Sequence, residues 1–448
     1  MKKFLSVMSV FMAAVILFSV CAYAGSAFPF NEEERAETAS QWEAIQSDDT
    51  VIALSVGDKA GEIGFSWLSG IFDRSPSLKI SAYSDMSQST DVPVESKLTL
   101  VLKKSNKASV TGLEEGKTYY YTYTENGVVS EVQSFKIQKS DEFSVIFVSD
   151  SQIGRSGDAY DEDVLINDTC GWNKTVKTAI NRYPDTAFII SAGDQTEYGF
   201  SLMQYKAFLS PAQLRNYPVA TAIGNHDFYF PCYTYYSNHP NTVKEKLASP
   251  AGYGYYFSYG DVLFIVINSN DMYAPDHSRL LAEAVKAYPN ATRRVAVLHH
   301  SPYSAVNNDS DFCLARSVFA PLFDAYDIDL VLSGNDHMYA SSYPVESGEI
   351  KEGGTVYVQA SSASGSNFST PDETDLSYLR FILREKTATY TALNFTADNI
   401  EVITYRTDTD EVVDTLNIPT AQKSEKTDNA VFFGWALSFI KTVVSMFK

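Results

Sequence analysis

The pattern of apolar and polar residues divides this chain into two differently built parts. Between residues 51 and 138, short segments in which apolar and polar residues alternate are separated by turn residues, such as the Glu-Asn-Gly sequence at 125–127. Alternation with a period of two is typical of strands that bury one face. Residues 51–138 are therefore predicted to form an all-β unit.

The pattern changes from Phe143 onwards, where short runs that are apolar throughout alternate with helical patterns. Strands without polar positions are required in a sheet that is covered on both faces. We therefore predict a layered α/β domain within residues 141–418. Its predicted helices are 172–183, 201–215, 278–288 and 312–325, and its last predicted strands are 389–395 and 399–418.

The beginning of the chain has the pattern of a secretory signal. Lys2-Lys3 precede an apolar stretch, and Ala22-Tyr23-Ala24 forms a small-residue cleavage site. Cleavage after residue 24 would make the protein secreted or extracytoplasmic; lipidation at Cys21 is the alternative. Residues 25–50 are a polar leader segment that we expect to pack loosely and that could form a short helix.

The end of the chain combines a polar linker with an apolar helix. Residues 421–430 are polar, and residues 431–447 are apolar except for one helical face that carries Ser438, Lys441, Thr442 and Ser445. The helix is short for a membrane span, which needs ~20 apolar residues. Two placements remain open: on a membrane surface or docked on the rest of the protein.

Composition limits the classes of partner. The 448-residue chain predicts two or more domains, and its 45% hydrophobic content is sufficient for large cores. The formal net charge of −20 argues against a duplex nucleic acid as ligand, although bound metals could still neutralise a small phosphate ester. Cys170, Cys232 and Cys313 could form one disulfide, but the sequence does not indicate the pair.

Candidate chemistry is concentrated in five short motifs, each of which follows an apolar run. Asp, Asn and His supply the oxygen and nitrogen ligands that hard and borderline divalent metals prefer. Because α/β sheets bind ligands at the carboxyl ends of their strands, the motifs predict one shared two-metal site. They are Asp150, Gly193-Asp194, Gly224-Asn225-His226-Asp227, His299-His300 and Gly334-Asn335-Asp336-His337.

The GNHD motif at 224–227 and the DIDLVLSGNDHMY segment at 327–339 resemble calcineurin-like metallophosphoesterases, in particular bacterial secreted relatives of purple acid phosphatase. The resemblance extends over roughly residues 51–418 and implies a four-layer α/β/β/α sandwich. Purple acid phosphatases carry a similar fibronectin type III-like β-sandwich before this domain. The residues that carry this second likeness are Trp67, 110–113, 119–121, Ser130 and Phe135.

The resemblance implies a role for each motif. Asp194 would bridge two divalent ions (Mn, Fe or Zn), Asp150 and His337 would bind the first ion, and Asn225 and His300 would bind the second. His300 is preferred over its neighbour because the ligand histidine of family members directly precedes a Ser-Pro pair, which follows His300 here.

The remaining motif residues are expected to act on the substrate or around the ligands. His226, together with Asp227, is assigned to catalysis, with His226 as general acid on the leaving-group oxygen or as a hydrogen-bond donor to the phosphoryl group. His299, His239 and Tyr198 are candidates for substrate contact or for support of the ligands; a solvated loop position is the alternative for His239.

Three positions depart from the family pattern. Gln152 replaces a common histidine, Glu197 stands where purple acid phosphatases have a tyrosine ligand, and Asn335 replaces a histidine that binds the second ion. The first ion would then take Glu197, Gln152 or water. An amide is a weaker donor for borderline ions, so the second site is expected to be weaker.

These considerations predict hydrolysis of phosphate monoesters by water that two metal ions activate. A phosphodiesterase with the same mechanism is one alternative. A non-catalytic surface protein with a degenerate second metal site is another, and Asn335 and Gln152 motivate it. We expect a small phosphate ester as partner and possible membrane-surface contact through residues 431–447.

Overall fold

The computed structural model describes residues 28–48, 51–246, 249–306, 310–371, 376–420 and 428–445. The predicted signal segment, residues 1–24, lies outside these residues. The helices are α1 (Glu32–Ser47), α2 (Glu162–Arg182), α3 (Leu202–Phe208), α4 (Cys232–Tyr235), α5 (Ala274–Ala287), α6 (Ser310–Ala325) and α7 (Asp428–Ser445), with a 3-10 turn at Ala212–Arg215.

The strands follow one another along the chain in two groups, before and after residue 140. They are β1 (Ile52–Val56), β2 (Ile63–Gly70), β3 (Ser77–Ser81), β4 (Thr90–Val92), β5 (Val94–Leu98), β6 (Lys103–Val110), β7 (Thr118–Glu125), β8 (Val128–Val129), β9 (Gln133–Lys136), β10 (Phe143–Val148), β11 (Thr186–Ser191), β12 (Val219–Thr221), β13 (Tyr255–Tyr259), β14 (Val262–Val266), β15 (Arg293–Val297), β16 (Leu330–Ser333), β17 (Ala340–Ser342), β18 (Val345–Glu346), β19 (Glu349–Ile350), β20 (Val356–Gln359), β21 (Leu379–Ile382), β22 (Thr389–Phe395), β23 (Asn399–Arg406) and β24 (Val412–Pro419).

One large sheet joins the two groups of strands. Its order is β24-β23-β22-β10-β11-β12-β1-β2-β6-β5, and β1 pairs in parallel with β12 through Ser55 and Val219. A five-stranded antiparallel sheet, in which β3 and β7 are central, packs over the β1–β2–β6 end of the large sheet and encloses Phe65, Trp67 and Tyr121. The predicted N-terminal β-sandwich is therefore present, but one of its sheets continues into the α/β domain.

The α/β domain has four layers. A seven-stranded sheet, β13-β14-β15-β16-β20-β17-β21, faces the large sheet. Alternate residues of each strand point to opposite layers: in β10, Val145 and Phe147 lie between the sheets, whereas Ile146 and Val148 face the helical layer that contains α2. Helices α5 and α6 cover the outer face of the second sheet. This is the expected α/β/β/α sandwich.

Two predicted helices differ most from their bounds in the structure. Helix α2 begins ten residues earlier than predicted, at Glu162, because the side chain of Asp161 caps it by accepting a hydrogen bond from the backbone N–H of Asp163. The predicted helix 201–215 ends at Phe208 and resumes as a 3-10 turn after Pro211, which lacks the N–H that a continuous helix needs.

The leader segment is firmly docked, contrary to the expectation of loose packing. Helix α1 begins with a capping box between Asn31 and Glu34. The side chain of Trp42 is only 2% exposed and belongs to the core beneath α2. Lys174 of α2 forms a 2.5 Å ion pair with Glu34. Burial of a tryptophan anchors the helix, because large aromatic side chains dominate core energetics.

Helix α7 packs against α6 with its polar face inward. Ser438 and Thr442 are buried, and Ser438 donates a hydrogen bond to Asp324. Leu437 and Ile440, on the other face, are more than half exposed. Docking on the protein is thus observed, and an apolar row still faces outward. Among the described helices, none has both the length and the apolar content that a bilayer span requires.

Two of the three cysteines that follow the predicted signal segment are free thiols. Cys170 and Cys232 are both buried and unpaired. Burial raises the pKa of each thiol to about 11, which disfavours the reactive thiolate. The side chain of Cys313, the third cysteine, lies outside the described residues.

Candidate metal centre

The five motifs meet at one edge of the two facing sheets. Strands β10, β11 and β12 are parallel neighbours in the large sheet, and β15 and β16 are parallel neighbours in the second sheet. Each motif follows the carboxyl end of one of these strands. The topology therefore brings together residues that are up to 187 positions apart in the sequence, from Asp150 to His337.

Three buried groups form the centre of the site. Asp150, Asp194 and His299 each place one ligand atom within 4.8 Å of the other two. None of them is more than 2% exposed, and His299 Nε2 lies 3.3 Å from Asp194 Oδ2. Two carboxylates buried this close together repel each other unless a positive charge lies between them. The arrangement therefore suits a cation.

Two more predicted ligands complete the surroundings. Asn225 Oδ1 lies 2.9 Å from His299 Nε2. On the other side, His337 Nε2 lies 3.7 Å from Asp150 Oδ1. The structure thus brings Asp150 together with His337, and Asp194 together with Asn225 and a histidine. That these residues bind two ions stays a prediction.

The geometry favours His299 over His300, in contrast to the expectation from the Ser-Pro position. In β15, Val295 and Val297 point between the sheets, and His299 continues this series towards Asp194. His300 continues the opposite series, and its Nδ1 lies 2.9 Å from the hydroxyl of Ser269. The strand alternation could have indicated this from the sequence.

The backbone is held in an unusual conformation at five of the motif and neighbouring positions. Only a few per cent of non-glycine residues have a positive φ, and such strain is concentrated at functional sites. Here φ is 52° at Asp150, 34° at Gln152, 49° at Asp194, 71° at Asn335 and 52° at His337.

Glycines in the motifs let the loops approach each other closely. A Cβ atom at Gly224 would collide with Asp194 Oδ1, and one at Gly334 would collide with Asp150 Oδ2. The glycine of each Gly-Asn pair is therefore needed for space beside a carboxylate.

The donor set fits a divalent metal on independent grounds. Among the described residues, the buried atoms Gln152 Oε1 and His337 Nδ1 have no hydrogen-bond partner. Buried polar atoms are normally satisfied, so unpaired donors and acceptors beside two carboxylates suit a site that an ion or its water molecules would complete. Carboxylate, amide and imidazole groups are ligands for Mn, Fe and Zn.

The ionisation of the centre points to the same need for positive charge. Burial raises the pKa of Asp150 to about 7. Burial acts to lower the pKa of His299, but the nearby negative charge of Asp194 has the larger effect and raises this pKa to about 10. Burial lowers the pKa of His337 to about 3, so its imidazole is neutral and able to act as a ligand.

His226 lies beside the centre and is partly open to solvent. Its Nδ1 is 2.9 Å from the backbone oxygen of Glu197, and its Nε2 is 4.0 Å from Asp194 Oδ2. Burial acts to lower the pKa of His226, but the carboxylates of Asp194 and Glu197 raise it above its ordinary value. With Nδ1–H donating to the carbonyl, Nε2 is the nitrogen that faces the centre.

Glu197 and Gln152 contact each other and lie beside the centre. Gln152 Nε2 donates to Glu197 Oε2 at 3.0 Å, and the other carboxylate oxygen accepts from Arg155 at 3.3 Å. Glu197 is not part of the group that converges within 4.8 Å. Asn335 is also engaged, since its Nδ2 donates to Asp336 at 3.1 Å and its backbone N–H donates to Asp150.

Asp227, which is predicted to take part in catalysis, holds the GNHD loop together. It is fully buried, and its carboxylate accepts hydrogen bonds from the backbone N–H of Gly224 at 3.0 Å and from the hydroxyl of Tyr205 at 3.1 Å. These hydrogen bonds hold the loop that carries Asn225 and His226. A direct catalytic role for Asp227 stays a prediction.

His239 and Tyr198 both make aromatic contacts, and a contact of either with substrate stays a prediction. His239 is half-buried: its ring stacks on Tyr255 with centroids 4.0 Å apart, and its Nε2 is 3.0 Å from the hydroxyl of Thr221. The ring of Tyr198 stacks on Phe200 at a centroid distance of 5.4 Å.

Arg155 belongs to none of the sequence motifs but lies beside the centre. Its guanidinium contacts Glu197, and it is close enough to the centre to lower the pKa of His226 and His337. The available signal was a single arginine three residues after Gln152, in the loop that follows the first strand of the α/β domain, in a chain with 55 acidic and 35 basic residues.

Comparison with known proteins agrees with this geometry. Residues 143–339 match the sequence family described as calcineurin-like phosphoesterase. No curated protein sequence matches significantly. The fold resembles purple acid phosphatase PPD1 from seeds of yellow lupin (Lupinus luteus), with a TM-score of 0.65, 16% identity, and coverage of 85% of this chain and 75% of that one.

A second solved structure, PhoD, gives a TM-score of 0.55 at 11% identity and covers 89% of this chain and 99% of its own. At these identities the likeness concerns the fold alone. Together, the family match at 143–339 and the sandwich that precedes it lead to one conclusion: the chain carries a calcineurin-like metallophosphoesterase domain in an architecture like that of purple acid phosphatase.

Proposed function

We propose that this protein is a metal-dependent hydrolase of phosphate monoesters. The observation that carries the proposal is the convergence of Asp150, Asp194 and His299 within 4.8 Å, with His226 directly beside them. Buried acidic and imidazole ligands together with a partly open histidine are what a metal-assisted ester hydrolysis requires.

The residues divide into two ligand sets around a shared carboxylate. Asp150 and His337 would hold one divalent ion, Asn225 and His299 would hold the other, and Asp194 would serve both. When bound, such ions neutralise the ester and lower the pKa of a water molecule for attack. Mn, Fe and Zn all suit this donor set.

The protein's own residues would position the ester and move protons. His226 is held through Nδ1 by the backbone of Glu197, so its Nε2 is directed to give a proton to the leaving-group oxygen. Arg155 contacts Glu197 through one Nη1 nitrogen, and guanidinium has further N–H donors that can bind phosphoryl oxygens. Arg155 would thus attract and orient the anionic substrate in an otherwise acidic chain.

The test combines metal content with turnover. Purified protein would be analysed for bound metal and then assayed with p-nitrophenyl phosphate and its bis ester under Mn, Zn and Fe. Two ions per chain with faster monoester hydrolysis would support the proposal. Faster hydrolysis of the bis ester would favour the phosphodiesterase alternative.

A non-catalytic binding protein is the second candidate, and Asn335 favours it. Its amide nitrogen is bonded to Asp336, and it stands where the family has a histidine ligand. One ion or none, without turnover under any metal, would support this candidate. Under our proposal, Asn335→His should strengthen zinc binding at the second site, measured by calorimetry; unchanged zinc affinity would contradict the assignment of Asn335 to that site.

We also propose that the protein works outside the cytoplasm, on the basis of residues 1–24. Expression of the full chain in a secreting host, followed by N-terminal sequencing, would test this. A mature chain that begins at Gly25 is expected, and an intact Met1 in a cytoplasmic fraction would contradict the proposal.

A further inference from the structure

Four aromatic side chains line the surface beside the candidate metal centre. Tyr160 is 71% exposed, Phe200 is 38% exposed and Phe230 is 39% exposed, and Tyr198 lies between Tyr160 and Phe200. We call these four residues the aromatic shelf. Large aromatic side chains that are exposed together often mark a binding site for a ligand or for another protein.

The shelf is a continuous series of ring contacts. The ring centroids of Tyr160 and Tyr198 are 5.5 Å apart, those of Tyr198 and Phe200 are 5.4 Å apart with an interplanar angle of 8°, and those of Phe200 and Phe230 are 5.0 Å apart. These distances are typical of favourable aromatic pairs. The rings therefore form one continuous cluster, and three of its four side chains are exposed.

The shelf is built on the loops that carry the candidate catalytic groups. Tyr198 directly follows Glu197, whose carboxylate lies 3.4 Å from His226 Nδ1. Tyr160 lies on the same loop as Arg155, and Phe230 follows the GNHD motif by three residues. A group that extends from an ester bound at His226 and Arg155 would therefore pass along these rings.

A buried glutamine fixes the shelf in place. Gln204 is 1% exposed, its Oε1 accepts a hydrogen bond from the backbone N–H of Tyr198 at 2.8 Å, and its Nε2 donates to the backbone oxygen of Ala159 at 3.2 Å. The loops that carry Tyr160 and Tyr198 are thus tied together before any ligand binds, which lowers the cost of binding.

We propose that the aromatic shelf binds the planar aromatic ring of the leaving group of a phosphate monoester. This proposal rests on the proposed phosphatase function and specifies its substrate class. Ring stacking is the chemistry that parallel and edge-on aromatic side chains offer, and it accepts any planar ring. Arg155 and the bound ions would hold the phosphoryl end, and the shelf would select esters whose other end carries a ring.

The test compares esters that differ in the ring. Adenosine 5′-monophosphate carries its ring beyond a sugar, phenyl phosphate carries it directly on the leaving oxygen, and glycerol 2-phosphate carries none. For Tyr160→Ala we expect kcat/KM to fall about tenfold for at least one of the two ring-bearing esters, and to stay within about twofold for glycerol 2-phosphate. If kcat/KM falls more for phenyl phosphate, the shelf binds a ring that is attached directly to the leaving oxygen. If it falls more for adenosine 5′-monophosphate, the shelf binds a ring that lies beyond a sugar.

Two further variants serve as controls. Tyr160→Phe keeps the ring and should retain the preference, and Phe72→Ala removes another exposed aromatic side chain, 86% exposed in the turn after β2, and should change nothing. An equal loss for all three esters, or no loss for any, would overturn the proposal and leave the shelf as a surface for another kind of partner.

A binding measurement separates this proposal from the proposed function. Phenylphosphonate and methylphosphonate, which are not hydrolysed, would be titrated calorimetrically into the metal-loaded protein. Tighter binding of phenylphosphonate that disappears in Tyr160→Ala would support the shelf even if no ester were turned over. Equal binding of both compounds by the unmodified protein would refute the shelf while leaving phosphatase activity untouched.

Discussion

At the scale of single residues, two neighbouring histidines after β15 face opposite sides of their strand. His299 points to Asp194, and His300 points to Ser269. The motif pattern identified Asp150, Asp194 and Asn225 because each ends an apolar run. It led to His300, because a family position before Ser-Pro says nothing about which side chain the strand turns inward; the alternation of side chains along the strand indicates His299 instead. Arg155 belongs to no motif, and only its place in the folded loop brings it to the centre.

The first prediction concerns these two histidines. His299→Ala should weaken metal binding more than the roughly 10–100-fold that outer contacts cost, because it removes a buried nitrogen ligand. His300→Ala should cost no more than that range, since it removes a contact to Ser269. Metal per chain by elemental analysis after dialysis checks both, and a greater loss in His300→Ala would reverse the assignment.

The second prediction concerns Arg155. Arg155→Ala should lower kcat/KM for a monoester by about tenfold to a hundredfold, because a charged donor to the phosphoryl group is lost. Metal content should stay the same, since Arg155 is not a ligand. Arg155→Lys, which keeps the charge without the planar fork, should recover part of the loss. A drop in metal content instead would show that Arg155 only supports the fold of the centre.

At the scale of elements, helix α2 holds the loop that carries Arg155. The buried carboxylate of Asp168 accepts hydrogen bonds from the backbone N–H groups of Gly154 at 2.8 Å and Ser156 at 3.2 Å. The sequence predicted the helix but started it at 172, which left Asp168 outside it. The helix begins earlier because the side chain of Asp161 caps it.

The third prediction is a pH dependence that originates at Asp168. Burial raises its pKa from 3.8 to about 7. Because the folded state binds this proton more tightly than the unfolded state, its contribution to stability is complete below pH ~4 and is lost as the pH rises through ~7. Asp168→Asn keeps an acceptor and removes the charge, so it should flatten this slope and stabilise the protein at pH 8 by on the order of 2 kcal/mol.

Urea unfolding of the metal-free protein at pH 5 and pH 8 measures this effect. Asp185→Asn is a matched control, because Asp185 is exposed and paired with Lys136. An equal change in unfolding free energy at both pH values in Asp168→Asn would contradict the prediction.

At the scale of the whole molecule, the pairing of β1 with β12 makes the sandwich and the α/β domain share a sheet. The hydrophobic pattern correctly predicted an N-terminal β-sandwich followed by a layered α/β domain. The pattern could not predict the shared sheet, because Ser55 and its partner Val219 are far apart in sequence and periodicity does not encode which strands become neighbours.

The fourth prediction follows from the shared sheet. Trp67→Ala, in the core of the N-terminal sandwich, should destabilise the protein by about 3–5 kcal/mol and shift one common thermal transition. The transition temperature measured by calorimetry and the temperature at which activity is lost should therefore shift together. Phe72→Ala, at an exposed position, should shift neither. A Trp67→Ala scan that separates into two transitions, with activity following only the unshifted one, would contradict the prediction.

The positive φ angles at Asp150, Asp194, Asn335 and His337 should affect the rate at which the site binds metal ions. The folded chain has already met the conformational cost of these angles, so the side chains need little rearrangement when an ion arrives. The rate of metal uptake should then be set by how quickly each ion sheds its hydration water, and a slowly dehydrating ion such as Mg²⁺ should enter later than Mn²⁺ at the same concentration.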